Sequence, residues 1–433
     1  MTRLSVLQPR LLTLLLTVTF ASLFGCDRSG ERRSAGAKPS PEPAVEPDLG
    51  AKATPESGDP ALEPWRRELL ELAFRAASKL PVEPHIKNRS RIQAEALAAF
   101  IELEQFARAE ALAMDVVNWR QGVLLGELAH QAARRGDIAS ADRIAAKAHQ
   151  VMLGVVAEDD QEWRAQSVLA KLALTDLTLG RNEAVIEKER LLEHSERREL
   201  VRAKAHLLTE EEVPLQLAEY KKLLESRDFE VLQNVALGAI ELHSRFYGKE
   251  ALRTEIEAFI EEAQRTMPST LRFTYQESLA KNALEAGDSR NAARFVEAAQ
   301  SIFDRTSWAA EDHVAAFGRL GSLRARAVSR SQGLGQIQAG LDTFETEKLR
   351  IPDVFRGDAL RPVAKAYLDA GEREAALSVY RQLVEEGVQN PNSRPRVDDL
   401  VRTCSSLVVL GLEPDEALLT RLRAIESQLG EPW

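Results

Sequence analysis

The side chains best equipped for chemistry in this 433-residue chain are seven histidines, two cysteines and a scatter of carboxylates. The histidines are His85, His130, His149, His194, His206, His243 and His313, and no two stand three or four apart around a glutamate. That spacing is what puts two imidazoles and a general base on one helical face to hold zinc. Two cysteines, Cys26 and Cys404, cannot build a four-thiolate metal centre. "GLGQIQAG" near Gly333 lacks the lysine and the preceding strand of a phosphate-cradling loop, and no Gly-x-Ser-x-Gly nucleophile elbow occurs. The expectation is a chain with no metal, no cofactor and no catalytic centre.

One carboxylate sits in a motif that bears on catalysis. Gln276-Glu277-Ser278, inside "TYQESLAKNALEAGD", resembles the Glu-Ser step that opens the active site of soluble lytic transglycosylases. That resemblance would make Glu277 the acid of a wall-cleaving enzyme. The Gly-Leu-Met-Gln segment that follows in that family is absent here, as is its Ala-Tyr-Asn-Ala-Gly stretch. A glutamate that donates a proton near neutral pH also needs an apolar pocket to raise its pKa, which an open helical face does not supply. A non-enzymatic interaction scaffold is the expected class, with a wall-remodelling enzyme or a passive spacer as alternatives.

Cys26 has a different use. Arg3 and Arg10 precede or open the apolar run "LLTLLLTVTFASLF", Leu11 to Phe24. Fourteen residues rise only ~21 Å as a helix against ~30 Å of hydrocarbon, which suits a cleaved signal better than a permanent span. Leu23-Phe24-Gly25-Cys26 resembles the bacterial lipobox, with Phe24 where a small residue is usual. The resemblance implies a signal peptide over 1–25, lipid on Cys26, and attachment to a membrane of the cell envelope, facing the periplasm. Residues 26–62 hold Pro39, Pro41, Pro43, Pro47, Pro55 and Pro60 and almost no large apolar side chain, the composition of an unfolded spacer. Removing 1–25 takes away Arg3 and Arg10 and no acid, so the net charge moves from −10 to −12. Nucleic acid is not an expected partner of so acidic a chain.

Residues 63–433 carry a repeat. Around Gly371, Leu360, Val363, Ala364 and Tyr367 stand eleven, eight, seven and four before the glycine, and Ala376, Tyr380 and Leu383 follow. The same offsets recur around Gly287 (Gln276, Leu279, Ala280, Ala283; Ala292, Val296, Ala299) and Gly136 (Leu125, Leu128, Ala129, Ala132; Ala141, Ala145, Ala148). Weaker copies surround Gly180 and precede Gly411, where Cys404 takes the small site. In another, Glu104 stands where the glycine would be. Each copy predicts two amphipathic helices joined at a left-handed residue. The pattern resembles the tetratricopeptide repeat. That implies an all-α, right-handed solenoid of about nine helix–turn–helix units, irregular near 218, 248 and 335, after a leading helix in "PWRRELLELAFRAASKL".

In that family the first helix of each hairpin lines a groove that clasps peptides or partner helices. Carried over, side chains ten, six and two before the glycine face inward. The candidate protein-binding residues are therefore His130 and Arg134 before Gly136, Glu277, Lys281 and Glu285 before Gly287, and Arg361, Lys365 and Asp369 before Gly371. The implied partners are other envelope proteins or peptides.

Overall fold

The computed structural model describes residues 58–158, 162–226 and 228–433. The expected signal peptide, Cys26 and nearly all of the spacer lie outside the described residues. Nineteen α-helices and no strand occur among those described.

Nine helices form an inner set: α2 (Val82–Glu102), α4 (Trp119–Arg134), α6 (Glu162–Thr178), α8 (Arg198–Ala205), α10 (Phe229–Arg245), α12 (Ser269–Glu285), α14 (Ala310–Ala327), α16 (Asp353–Asp369) and α18 (Ser393–Val409). The rest lie outside them: α1 (Pro64–Ser78), α3 (Phe106–Ala113), α5 (Ile138–Glu158), α7 (Asn182–Leu191), α9 (Val213–Leu223), α11 (Glu250–Ala263), α13 (Ser289–Phe303), α15 (Arg330–Glu347), α17 (Arg373–Gly387) and α19 (Glu416–Ser427). Each inner helix packs on its own hairpin partner and on the next inner helix, as a solenoid requires.

The hairpins close through one piece of turn chemistry. Gly136, Gly180, Gly287, Gly371 and Gly411 all adopt φ between 65° and 82°, and Glu104 does the same at 59°. Beyond each, the following N–H reaches back to the inner helix: Asp137 to the Ala132 carbonyl at 3.0 Å, Asp288 to Ala283 at 2.8 Å, Glu372 to Tyr367 at 2.8 Å, and Gln105 to Phe100 at 2.9 Å. These bonds satisfy carbonyls that a helix end would otherwise leave orphaned. The small sites seven before and five after the turn are fully buried: Ala129 and Ala141, Ala280 and Ala292, Ala364 and Ala376. At the places flagged as irregular, residue 218 lies inside α9 and residue 335 inside α15, and Gly248 is not left-handed.

The two ends of the solenoid meet. α18 packs on both α1 and α2, and α1 also touches α19, so the inner helices form a closed ring. The outer place beside α18 is filled mainly by the leading helix α1. One apolar cluster accordingly joins Leu69, Leu72 and Ala76 of α1 to Leu400, Cys404 and Leu407 of α18. The physical reason is the breadth of the apolar face of α1: Leu69, Leu70, Leu72, Ala73, Phe74, Ala76 and Ala77 are all buried. A terminal helix so apolar needs neighbours on two sides, and the far end of the chain supplies one.

Candidate functional site

The inner face is built from three rows of side chains, and the rows do different things. The first row, ten before each turn, points at the next inner helix. Gly126 of α4 leaves room for Lys171 of α6, whose Cβ would lie 2.7 Å from an added methyl. Glu277 of α12 faces Arg319 of α14 at 3.5 Å with only 3% of its side chain exposed. Arg361 of α16 meets Asp399 of α18. Two of the predicted binding residues, Glu277 and Arg361, are therefore seam residues, and the groove expectation is corrected for them. The expectation treated each hairpin alone, whereas in the ring the neighbouring hairpin covers this row.

The second and third rows stay closer to solvent. Lys365 lies four residues before Asp369 and donates to it at 2.7 Å, and Ser322 of α14 donates to the same carboxylate at 2.7 Å. Lys281 is half-buried, and Arg134 and Glu285 are exposed. His130 sits above a buried ion triplet in which Lys171 contacts Glu127 at 2.9 Å and Glu199 at 2.5 Å. Burial lowers the pKa of His130, against the pull of Glu127. The same burial is outweighed in Glu127, which Lys171 holds down at about 2.

The densest charge cluster joins α16, α18 and α2, where the ring closes. Arg402 contacts Asp358 at 2.8 Å, Glu95 at 3.2 Å and Asp398 at 3.2 Å. Arg91 contacts Glu95 and Asp398, both at 2.6 Å. Arg361 contacts Asp358 at 2.5 Å and also binds Asp399. Asp399 is wedged between Gly357 and Gly387, where no other residue would leave space for its carboxylate. Burial pushes the Asp399 pKa up to about 6; Arg361 pulls the other way, and Asp358 and Asp398 add to the rise.

Sequence reasoning missed Glu95, Asp398, Asp399 and Arg402, because partners some forty or three hundred residues apart leave no periodic signal. Cys404 is fully buried, and burial pushes its thiol pKa up, away from reactivity. Among the described residues no three histidine, cysteine or carboxylate side chains converge as a metal would need. No helix among them is long and apolar enough to cross a membrane.

No family model matches this chain, and no curated protein does. Among solved structures, it is similar to a circular tandem repeat protein with novel repeat topology and enhanced subunit contact surfaces. The two are 16% identical, the match covers 84% of this chain and 94% of the other, and the TM-score is 0.16. A superposition that loose carries no argument, so the ring rests on this chain's own contacts.

Proposed function

We propose that this protein is a lipid-anchored scaffold of the bacterial envelope, tethered through Cys26 and binding other envelope proteins or peptides on its tetratricopeptide-like hairpins. The observation that supports the reading most is the row of accessible polar side chains repeated from one inner helix to another: Arg134, Lys281 and Glu285, and Lys365 with Asp369. Such a row offers hydrogen bonds and charges at regular spacing to an extended or helical segment. Closure of the ring adds a condition, since a partner reaches the inner face along the ring axis or docks on a rim.

Glu277 argues against the wall-cleaving alternative. Its carboxylate is sealed against Arg319, and a catalytic acid must come within hydrogen-bond reach of the bond it breaks. Photo-crosslinkers placed at Lys281 and Lys365, in cells making the full chain, test the scaffold. Discrete adducts at these positions, absent from a crosslinker on the outer helix at Arg290, are expected. Equal or absent labelling at all three sites would remove the case for an inner-face partner. Incorporation of labelled fatty acid, lost on Cys26→Ser, tests the anchor separately.

A further inference from the structure

Along five successive inner helices, α16, α18, α2, α4 and α6, one arginine per helix lies within electrostatic range of the next: Arg361, Arg402, Arg91, Arg120 and Arg164. Around the first three, Asp358, Asp398, Asp399 and Glu95 are interleaved. Beyond Glu95 the pattern changes. Arg120 has no carboxylate at ion-pair distance among the described residues; its guanidinium lies 3.5 Å from Ser90 Oγ and stacks 4.5 Å over Trp119. Burial and the neighbouring charges of Arg91 and Arg164 press its pKa down to about 10, and Glu95, the carboxylate it feels, is already bound by Arg91 and Arg402. Holding a partly buried cation among like charges costs free energy that a bound anion would recover.

The surroundings of this cation are built in duplicate. α4 and α6 both open on Trp-Arg, Trp119-Arg120 and Trp163-Arg164. The two indoles meet edge to face at 5.4 Å, and Arg164 lies 5.6 Å from the Trp163 ring. The helices stand this close because Gly122 leaves the space that Val168 fills, a Cβ there falling 2.9 Å from it. Trp163 is 48% exposed. A guanidinium beside an open indole is suited to an oxyanion carried on a ring, the anion on Arg120 and the apolar face of the ring against Trp163.

We infer that the paired Trp-Arg ends of α4 and α6 form a binding site for an anionic ring ligand, a sugar or similar ring bearing a carboxylate or phosphate. Residues 55–433 form one compact unit with its own apolar core and can be studied alone. Calorimetric titration with glucose 6-phosphate, glucuronate, glucose and inorganic phosphate is the test. The two sugar anions are expected to bind and glucose is not. Arg120→Gln should weaken the sugar anions about tenfold or more, and Arg120→Lys should restore part of the loss. Trp163→Ala, at a half-exposed position that folding does not need, should weaken the sugar anions and leave inorganic phosphate unchanged. Sugar anions that bind no better than glucose, or bind equally well to Arg120→Gln, overturn the site; an unchanged Trp163→Ala overturns the ring contact.

Discussion

Two kinds of seam hold neighbouring inner helices together in this ring. Where α16, α18 and α2 meet, the joint is stitched by charge: Arg91, Arg361 and Arg402 alternate with Glu95, Asp358, Asp398 and Asp399. Where α4 meets α6, and α14 meets α16, the joint is made by removing side chains: Gly122, Gly126 and Gly318 let backbones approach. The charged seam is where the two ends of the chain come together. Ion pairs there have strong geometric demands, so they fix the register of an encounter between segments some three hundred residues apart. The glycine seams join hairpins already neighbours in sequence, and shape alone suffices there.

The largest effect is expected from removing one cation from the charged seam. Arg402→Ala leaves Glu95, Asp358 and Asp398 sharing two arginines, and uncompensated carboxylates of this kind are costly. We expect a loss of about 3 kcal/mol in urea unfolding, with most of the effect remaining in moderate salt because Arg402 is only 24% exposed. A loss below about 0.5 kcal/mol, the range of an ordinary surface pair, would mean the network does not hold the ring closed. On the glycine side, a Cβ at position 318 would fall 2.8 Å from the Val363 backbone nitrogen and 2.9 Å from the Pro362 carbonyl. Backbone cannot rotate aside as a side chain can. Gly318→Ala should therefore destabilise by about 2 kcal/mol and be insensitive to salt.

Asp399 adds to the contrast, because the charged seam contains one carboxylate whose burial works against it. Its folded pKa, about 6, stands above the ~3.9 of an unfolded aspartate. The folded state therefore favours the protonated form. The stabilisation this gives is fully present below about pH 4 and is lost as the pH rises through about 6, a change of roughly 3 kcal/mol. Asp399→Asn cannot titrate. Comparing denaturant unfolding of the two proteins from pH 4 to 7.5, the advantage of the wild type should shrink steadily and then level off. An advantage that grows with pH would show that pairing with Arg361 outweighs burial, and the assignment would fail.

How much of this could be read from the sequence follows from the distance over which each feature is encoded. A hairpin is written in about thirty residues: the glycine, the small sites at Ala364 and Ala376, and the stripe of Leu360, Val363 and Tyr367 are all local. All three of those stripe and small-site sets lie buried where the spacing placed them. The inner-face rows were only half legible, because their direction depends on the next hairpin; that is why Glu277 and Arg361 turned out to face a neighbour. Closure was hidden altogether. Its one local trace is the breadth of the apolar face of α1, which a leading helix with a free outer flank would not carry.

The smallest effect tests the turn chemistry most cleanly, because nature has already made the reverse substitution. Glu104 holds φ 59° at the place where five other turns have glycine, and the left-handed region costs a residue with a Cβ about 1–2 kcal/mol. Glycine loses more chain entropy on folding, by about 0.5–1 kcal/mol, which offsets part of that gain. Glu104→Gly should then stabilise the protein by roughly 0.5–1 kcal/mol. Gly371→Ala, with nothing within 4 Å of the added methyl, should destabilise by a similar amount through backbone strain alone. Paired melting curves decide the matter. If both variants shift in the same direction, the left-handed residue is not what sets the stability of these hairpins, and the six turns owe their shape to the packing of the helices on either side.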